Sequence, residues 1–187
     1  MVNIAVFASG SGSNFEAILN HQSYIYNAVL LVCDKENAKV IKRAQLRDIP
    51  TLVINPKDYK NKDAYEVVIL ESLNQMNVQF IVLAGYMRLI GQRLLKAYPR
   101  RIVNIHPSLL PSFKGLDALG QALEAGVKMT GVTIHYVDEG MDTGKIIAQD
   151  SLLIYDDESR EQIEQRIHAI EHRMYPKIIE KAIKESI

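Results

Sequence analysis

Apolar positions along the chain fall into two rhythms. Short unbroken runs, Ile4 to Ala8, Val29 to Cys33, Leu52 to Ile54, Phe80 to Ala84 and Ile102 to Ile105, read as strands. Continuous rather than alternating hydrophobicity marks strands covered on both faces of a parallel sheet. Between them, Asn14 to Asn20, Ala38 to Arg47 and Asp63 to Met76 read as helices, the last with Tyr65, Ile69, Leu73 and Met76 on one stripe. Strand and helix in alternation predict a doubly wound α/β fold. After Pro111 the rhythm changes: a helix near Leu116 to Glu124 precedes two strands, Val132 to Val137 and Ile146 to Ile154, joined through Asp138 to Gly144. The sheet is therefore expected to be mixed. From Glu158 onward, Ile163, Ile167, Ile170, Met174 and Ile178 recur at helical spacing, so the tail packs on the body, with Pro176 kinking or restarting it.

Composition narrows the picture. The 187 residues suit one domain able to bury a core, and no repeat, low-complexity tract or Gly/Ser/Pro-rich linker divides them. Lys plus Arg and Asp plus Glu each total 22, so nothing points to a nucleic-acid track or a membrane surface. The single Cys33 lies in an apolar run, where a buried thiol is expected, and it cannot form a disulfide within one chain. No apolar run reaches membrane-spanning length, and strand-like residues start at Asn3, which leads to the expectation of a cytoplasmic protein.

Ser9-Gly10-Ser11-Gly12-Ser13-Asn14 lies between the first strand and the first helix. Small residues there let backbone N–H groups approach an anion at a helix N-terminus, with Ser13 and Asn14 as further donors and a phosphate as the natural guest. A dinucleotide fingerprint competes, since Asp34 ends the second strand where a ribose partner would sit, but Phe15 replaces the third glycine. A plain strand-to-helix turn with an N-cap is the other alternative.

In open α/β sheets ligands sit beyond the carboxyl ends of the strands, and there the sequence puts Asn104-Ile105-His106-Pro107-Ser108. Period two turns Asn104 and His106 the same way, so an amide and an imidazole can address one oxygen. Asp142 arrives from the turn Gly140 to Gly144, and a carboxylate beside His106 favours the imidazolium. An amide, an imidazole and a carboxylate are the groups needed to move an acyl carbon without a covalent intermediate. Taken singly, Asn104 is also a loop cap, His106-Pro107 a turn, and Asp138, Glu139 and Asp142 a solvated hairpin tip. His106, His135 and Asp142 lack metal-site spacing, and Ser108 lacks the G-x-S-x-G elbow of a serine nucleophile.

These motifs, with Leu83-Ala84-Gly85-Tyr86-Met87-Arg88, the run Asn104 to Pro111, Val137 to Gly144 and Glu171-His172-Arg173-Met174-Tyr175-Pro176, are the ones by which the chain resembles the folate-dependent formyltransferases over nearly its whole length. The resemblance implies a Rossmann-like three-layer fold with a mostly parallel central sheet, an antiparallel C-terminal part and a packed C-terminal helix. It implies a single domain over 1–187, with a phosphate-binding half at 1–100 and a catalytic and folate-binding half at 101–187. Asn104, His106 and Asp142 would be catalytic, and Gly12, Ser13, Asn14 and Glu171 would bind a glycinamide ribonucleotide acceptor. Met87, Arg88, Leu89, Ile90, Asn104, Asp138, Glu139, Gly140 and Met141 would enclose the reduced folate, with Lys62 standing where family members carry an Arg. The segment Phe113 to Gly120, where some members place histidines at the positions of Asp117 and Leu119, receives no role.

The implied cosubstrate is 10-formyltetrahydrofolate, without metal or redox cofactor, in a monomer or homodimer with no nucleic-acid or membrane partner. Close rivals are a formyltransferase acting on methionyl-tRNA, expected to be longer and more basic, and a formyltetrahydrofolate hydrolase, expected to carry a further N-terminal domain. A non-catalytic phosphosugar-binding module needs only the glycine loop and leaves Asn104, His106 and Asp142 without a purpose.

Overall fold

In the computed structural model, which describes residues 1–186, the apolar runs become the strands of a 7-stranded sheet. In chain order the elements are β1 (Val2–Ala8), α1 (Ser13–Asn20), β2 (Tyr26–Cys33), α2 (Lys39–Gln45), β3 (Thr51–Val53), α3 (Lys62–Gln75) and β4 (Phe80–Leu83). They continue as α4 (Gln92–Ala97), β5 (Ile102–His106), α5 (Ala118–Glu124), β6 (Met129–Tyr136), β7 (Ile146–Leu153) and α6 (Arg160–Ser186). The spatial order is β3-β2-β1-β4-β5-β6-β7, parallel from β3 to β5 and antiparallel from β5 to β7. The mixed sheet is as the rhythm of the sequence predicts.

Alternation along β1 shows why a continuous apolar run was needed. Ile4, Val6 and Ala8 pack on one face with Phe15 and Ile18 of α1, Val40 and Ala44 of α2, and Ile163, Ile167, Tyr175 and Ile179 of α6. Ala5 and Phe7 pack on the other with Tyr65, Ile69 and Leu73 of α3 and Leu94 of α4. Helices cover both faces, so a polar residue on either would be stranded among apolar side chains. Cys33 is fully buried and free. Among the described residues no helix is long and apolar enough to cross a membrane.

Two features depart from expectation. Of the two outcomes expected at Pro176, a kink or a restart, the restart is absent: α6 runs through it as one element, with Tyr175, Pro176 and Ile179 buried. Packing of that apolar face outweighs the lost backbone hydrogen bond. Helix α4 carries no periodic signal long enough to read in the sequence. Its N-terminus is instead capped from a distance by the buried Glu66 of α3, whose carboxylate accepts from the N–H groups of Gly91 and Leu94.

Tyr175 ties α6 to the sheet. Its fully buried hydroxyl donates to the Leu83 carbonyl at 2.7 Å, at the carboxyl end of β4, and approaches the Val103 carbonyl of the neighbouring β5 at 3.3 Å. Tyr175→Phe keeps the packing and leaves those carbonyls short of a donor, so it should cost about 1–3 kcal/mol of stability. Urea unfolding of the two proteins measures this, and an unchanged midpoint would remove the tie from the account.

Candidate active site

The sheet reverses its winding at β1, with β2 on one side and β4 on the other, and the crevice at that switch point is where doubly wound sheets take ligands. A cleft of ≈ 630 Å³ opens there, lined among others by Gly10 to Asn14, Met87 to Ile90, Asn104, His106, Asp142 and Glu171. It thus joins the glycine loop to the amide, imidazole and carboxylate.

At one end, Gly12 adopts a left-handed φ of 77° ahead of α1, and a Cβ on it would fall 2.6 Å from Val40 Cγ2. Backbone and space both demand glycine. The loop carbonyls are taken up by α2 and its surroundings: Gly10 O accepts from Val40 N–H at 3.1 Å and Ser11 O from Arg43 Nε at 2.9 Å. No side chain caps α1, so its first N–H groups stand free at the positive end of the helix dipole. Asn14 Nδ2 donates at 2.9 Å to Glu171, which is 4 % exposed, so residues far apart in sequence meet at this end.

At the other end, Val103 and Ile105 pack on the α1–α6 face, which turns Asn104 and His106 to the opposite face of β5. Asp142 folds back over them from the β6–β7 connection, in a left-handed conformation of φ 53° that Asp tolerates better than most residues. Its Oδ1 lies 3.4 Å from Asn104 Nδ2 and 3.5 Å from His135 Nε2; its Oδ2 lies 3.4 Å from His106 Nδ1 and accepts from Gly115 N–H at 2.8 Å. Burial pushes the Asp142 carboxyl up, but the His135 and Gly115 donors and the neighbouring His106 outweigh it and hold Asp142 below the usual carboxylate range. The other His106 nitrogen, Nε2, is 2.8 Å from the Phe113 carbonyl, so both ring nitrogens face acceptors.

Asp138, expected at the folate, lines the cleft but spends Oδ1 on its own loop, accepting from Gly140 N–H at 3.1 Å and Thr143 Oγ1 at 2.6 Å. Gly140 and Met141 also line the cleft. The side chains of Glu139 and Lys62 do not: both residues are exposed, Glu139 between Asp138 and Gly140 and Lys62 at the first position of α3. Lys62 was expected on the resemblance alone, and the turn bonds of the Glu139 loop are made by Asp138, Gly140 and Thr143. Among the described residues no group of three His, Cys, Asp or Glu could hold a metal ion.

Two histidines join the site without a role read from the sequence, where His135 enters only as a metal-ligand candidate and His168 is not singled out. His135 stands opposite Asn104 in the β5–β6 register, with Nδ1 2.8 Å from the Tyr136 carbonyl and Nε2 3.2 Å from Asn104 Nδ2. The same Nε2 faces Asp142 Oδ1, so His135 stands between the Asn104 amide and the carboxylate. Antiparallel register is the only signal that pairs His135 with Asn104. His168 lines the cleft and lies 2.8 Å from Glu171, whose hydrogen bond raises its pKa against the opposing effect of burial. The spacing of His168 and Glu171 on one helix was a signal available in the sequence.

A protein-family model described as formyl transferase matches residues 2–179. The chain is 56% identical over 186 residues to the phosphoribosylglycinamide formyltransferase of Bacillus subtilis (strain 168), covering 98% of this chain and 95% of that protein. It is 40% identical over 181 residues to a trifunctional purine biosynthetic protein, adenosine-3, of Drosophila pseudoobscura pseudoobscura, covering 94% of this chain but spanning 13% of that longer protein. The crystal structure of phosphoribosylglycinamide formyltransferase from Bacillus halodurans superposes with a TM-score of 0.95 at 49% identity, covering 99% of this chain and 97% of that one. A matching fold, a family match across nearly every described residue and full-length identity of this order leave one assignment: the chain belongs to the formyl transferase family.

Proposed function

We propose that this enzyme transfers the formyl group of 10-formyltetrahydrofolate to the primary amine of glycinamide ribonucleotide, giving the formylated ribonucleotide and tetrahydrofolate in purine synthesis. The observation that carries the reading is one continuous cleft with an anion-ready helix N-terminus at one end and Asn104, His106 and Asp142 converging at the other. The substrate phosphate sits on the N–H groups of Gly12, Ser13 and Asn14, and Glu171, held by Asn14 and His168, faces the ribose. The folate ring lies along Met87 to Ile90, where the backbone N–H and C=O groups of Arg88, Leu89 and Ile90 find no protein partner among the described residues. An edge of free donors and acceptors suits a pterin, which carries both. The first half of the domain, 1–100, supplies the phosphate loop and this edge, and 101–187 supplies the catalytic groups.

The amine attacks the formyl carbon, a C–N bond forms, and charge collects on the former carbonyl oxygen. Asn104 Nδ2 turns its N–H from the long 3.4 Å contact with Asp142 to that oxygen. His106 keeps one nitrogen on Asp142 and exchanges the Phe113 carbonyl for the oxyanion at the other. Asp142 orients the imidazole, supports its charge and takes part in passing the amine's proton, directly or through water, towards the departing folate nitrogen. The C–N bond to folate then breaks. The hydrolase alternative differs in using water where the amine stands.

The test is tetrahydrofolate release from 10-formyltetrahydrofolate by the purified enzyme, with and without glycinamide ribonucleotide. Release only with the ribonucleotide is expected; release without it would indicate a hydrolase. Asn104→Ala should lower kcat by about 10²–10³-fold with little change in either KM, and a wild-type kcat would remove the oxyanion role. The attacking amine must be unprotonated, so its own titration sets the first acid-side loss. Because Asp142 is held below the usual carboxylate range, its protonation should add a separate, lower limb only as pH falls below about 4, the ordinary Asp value. Asp142→Asn should lower kcat throughout and abolish that limb of the profile; full activity with an unchanged profile would rule out the coupling. Gly12→Ala, strained by its φ and its clash with Val40, should raise the KM for the ribonucleotide more than that for folate.

A further inference from the structure

The segment from Gly85 to Gly91 has no helix or strand of its own, yet it must present a fixed row of unsatisfied backbone groups to the cleft. A loop without secondary structure has many conformations, so such a row keeps one geometry only if something outside it fixes the chain. The structure holds it at three points, each a polar side chain buried behind the cleft and absent from its lining.

The first is Ser9, at the end of β1 and 3 % exposed. Its N–H donates to the Gly85 carbonyl at 3.0 Å, and its hydroxyl accepts from Met87 N–H at 3.0 Å, fixing the start of the segment where Gly85 turns through a left-handed φ of 76°. The second is Asp34, just past β2, whose side chain is 2 % exposed and accepts from Arg88 Nε at 2.8 Å. Its other oxygen has no partner, so the Arg88 guanidinium is the one neutralising contact this buried carboxylate makes among the described residues. Asp34 is the residue whose position at a strand end hinted at a dinucleotide ribose; its partner here is the loop. The third is Glu66 of α3, 3 % exposed, which receives Gly91 N–H and Leu94 N–H and so fixes the far end. A Cβ on Gly91 would lie 2.7 Å from both Glu66 carboxylate oxygens, which explains the glycine there.

We propose that Ser9, Asp34 and Glu66 are positioning residues that hold Arg88 to Ile90 in the binding-ready conformation, and that they govern affinity for the folate rather than the chemical step. The inference rests on the assignment of that row to the folate. It follows from geometry: the three side chains contact the segment from the side away from the ligand, and none touches Asn104, His106 or Asp142. A preorganised edge binds without first losing the freedom of its loop, so releasing an anchor should raise the dissociation constant and leave the bound geometry, hence kcat, intact.

The experiment compares Glu66→Gln, Asp34→Asn and Ser9→Ala with the wild type. Equilibrium binding of tetrahydrofolate, steady-state kinetics with both substrates varied, thermal unfolding and amide hydrogen exchange of residues 87–91 are measured on each. Glu66→Gln keeps one acceptor oxygen but sets an amide against the second N–H, and should weaken folate binding and raise its KM by about tenfold, the size expected for one charge-assisted hydrogen bond. The kcat at saturating folate and the KM for glycinamide ribonucleotide should stay within about twofold. Exchange should quicken at the Met87 amide in unliganded Ser9→Ala and at the Gly91 amide in unliganded Glu66→Gln, the two amides of the segment that the anchors hold. Ser9→Ala, the smallest change, carries the test if either carboxylate variant fails to fold. Folate affinity and exchange equal to wild type in folded variants would overturn the anchoring, as would a fall in kcat at unchanged affinity. A wild type that binds no tetrahydrofolate is a distinct result, which would overturn the folate assignment and this inference with it.

Discussion

Parallel pairing of β1 with β2 on one side and β4 on the other is the constraint from which the site follows. Because the chain winds outward in both directions from β1, the loops leaving β1 and β4 part at their carboxyl ends and cannot fill the space between them. The glycine loop occupies one lip and the Gly85–Gly91 segment the other. Tyr175 then fastens α6 to the sheet, on the Leu83 carbonyl at the end of β4 and the Val103 carbonyl of β5. Glu171 lies one helical turn earlier and is thereby brought to Asn14, so a packing contact at the sheet sets the reach of a cleft residue.

The second half of the site depends on a buried charge. Asp142 sits among Asn104, His106, His135 and the Gly115 N–H, and these donors together make its ionised form the stable one despite burial. The same carboxylate joins three parts of the chain: strand β5, strand β6 and the turn before α5. Its left-handed backbone is a local cost that these contacts offset, as is common where a side chain must be aimed. His106 is held between Asp142 and the Phe113 carbonyl, which ties the shape of the 113–117 turn to the orientation of the imidazole.

The fold was largely legible because burial on two faces leaves a direct mark. Each central strand had to be apolar throughout, and Tyr65, Ile69 and Leu73 had to share a stripe. The short helix α4 was not legible, since its start is fixed by Glu66, 25 residues before Gly91. Nor was the continuity of α6 through Pro176, because local backbone preference argued for a break and only packing argued against it.

The sequence by itself determined the α/β alternation, the position of the glycine loop and the shared face of Asn104 and His106, all of which depend on local periodicity and short spacing. Tertiary structure alone decided that Asp142 reaches that face, that His135 lies opposite Asn104, that Asp34 is committed to Arg88, and that Lys62 and Glu139 stay outside the cleft. These are contacts between residues far apart along the chain. Strand register and the return of a loop create them, and no pattern of neighbouring residues encodes either one by itself.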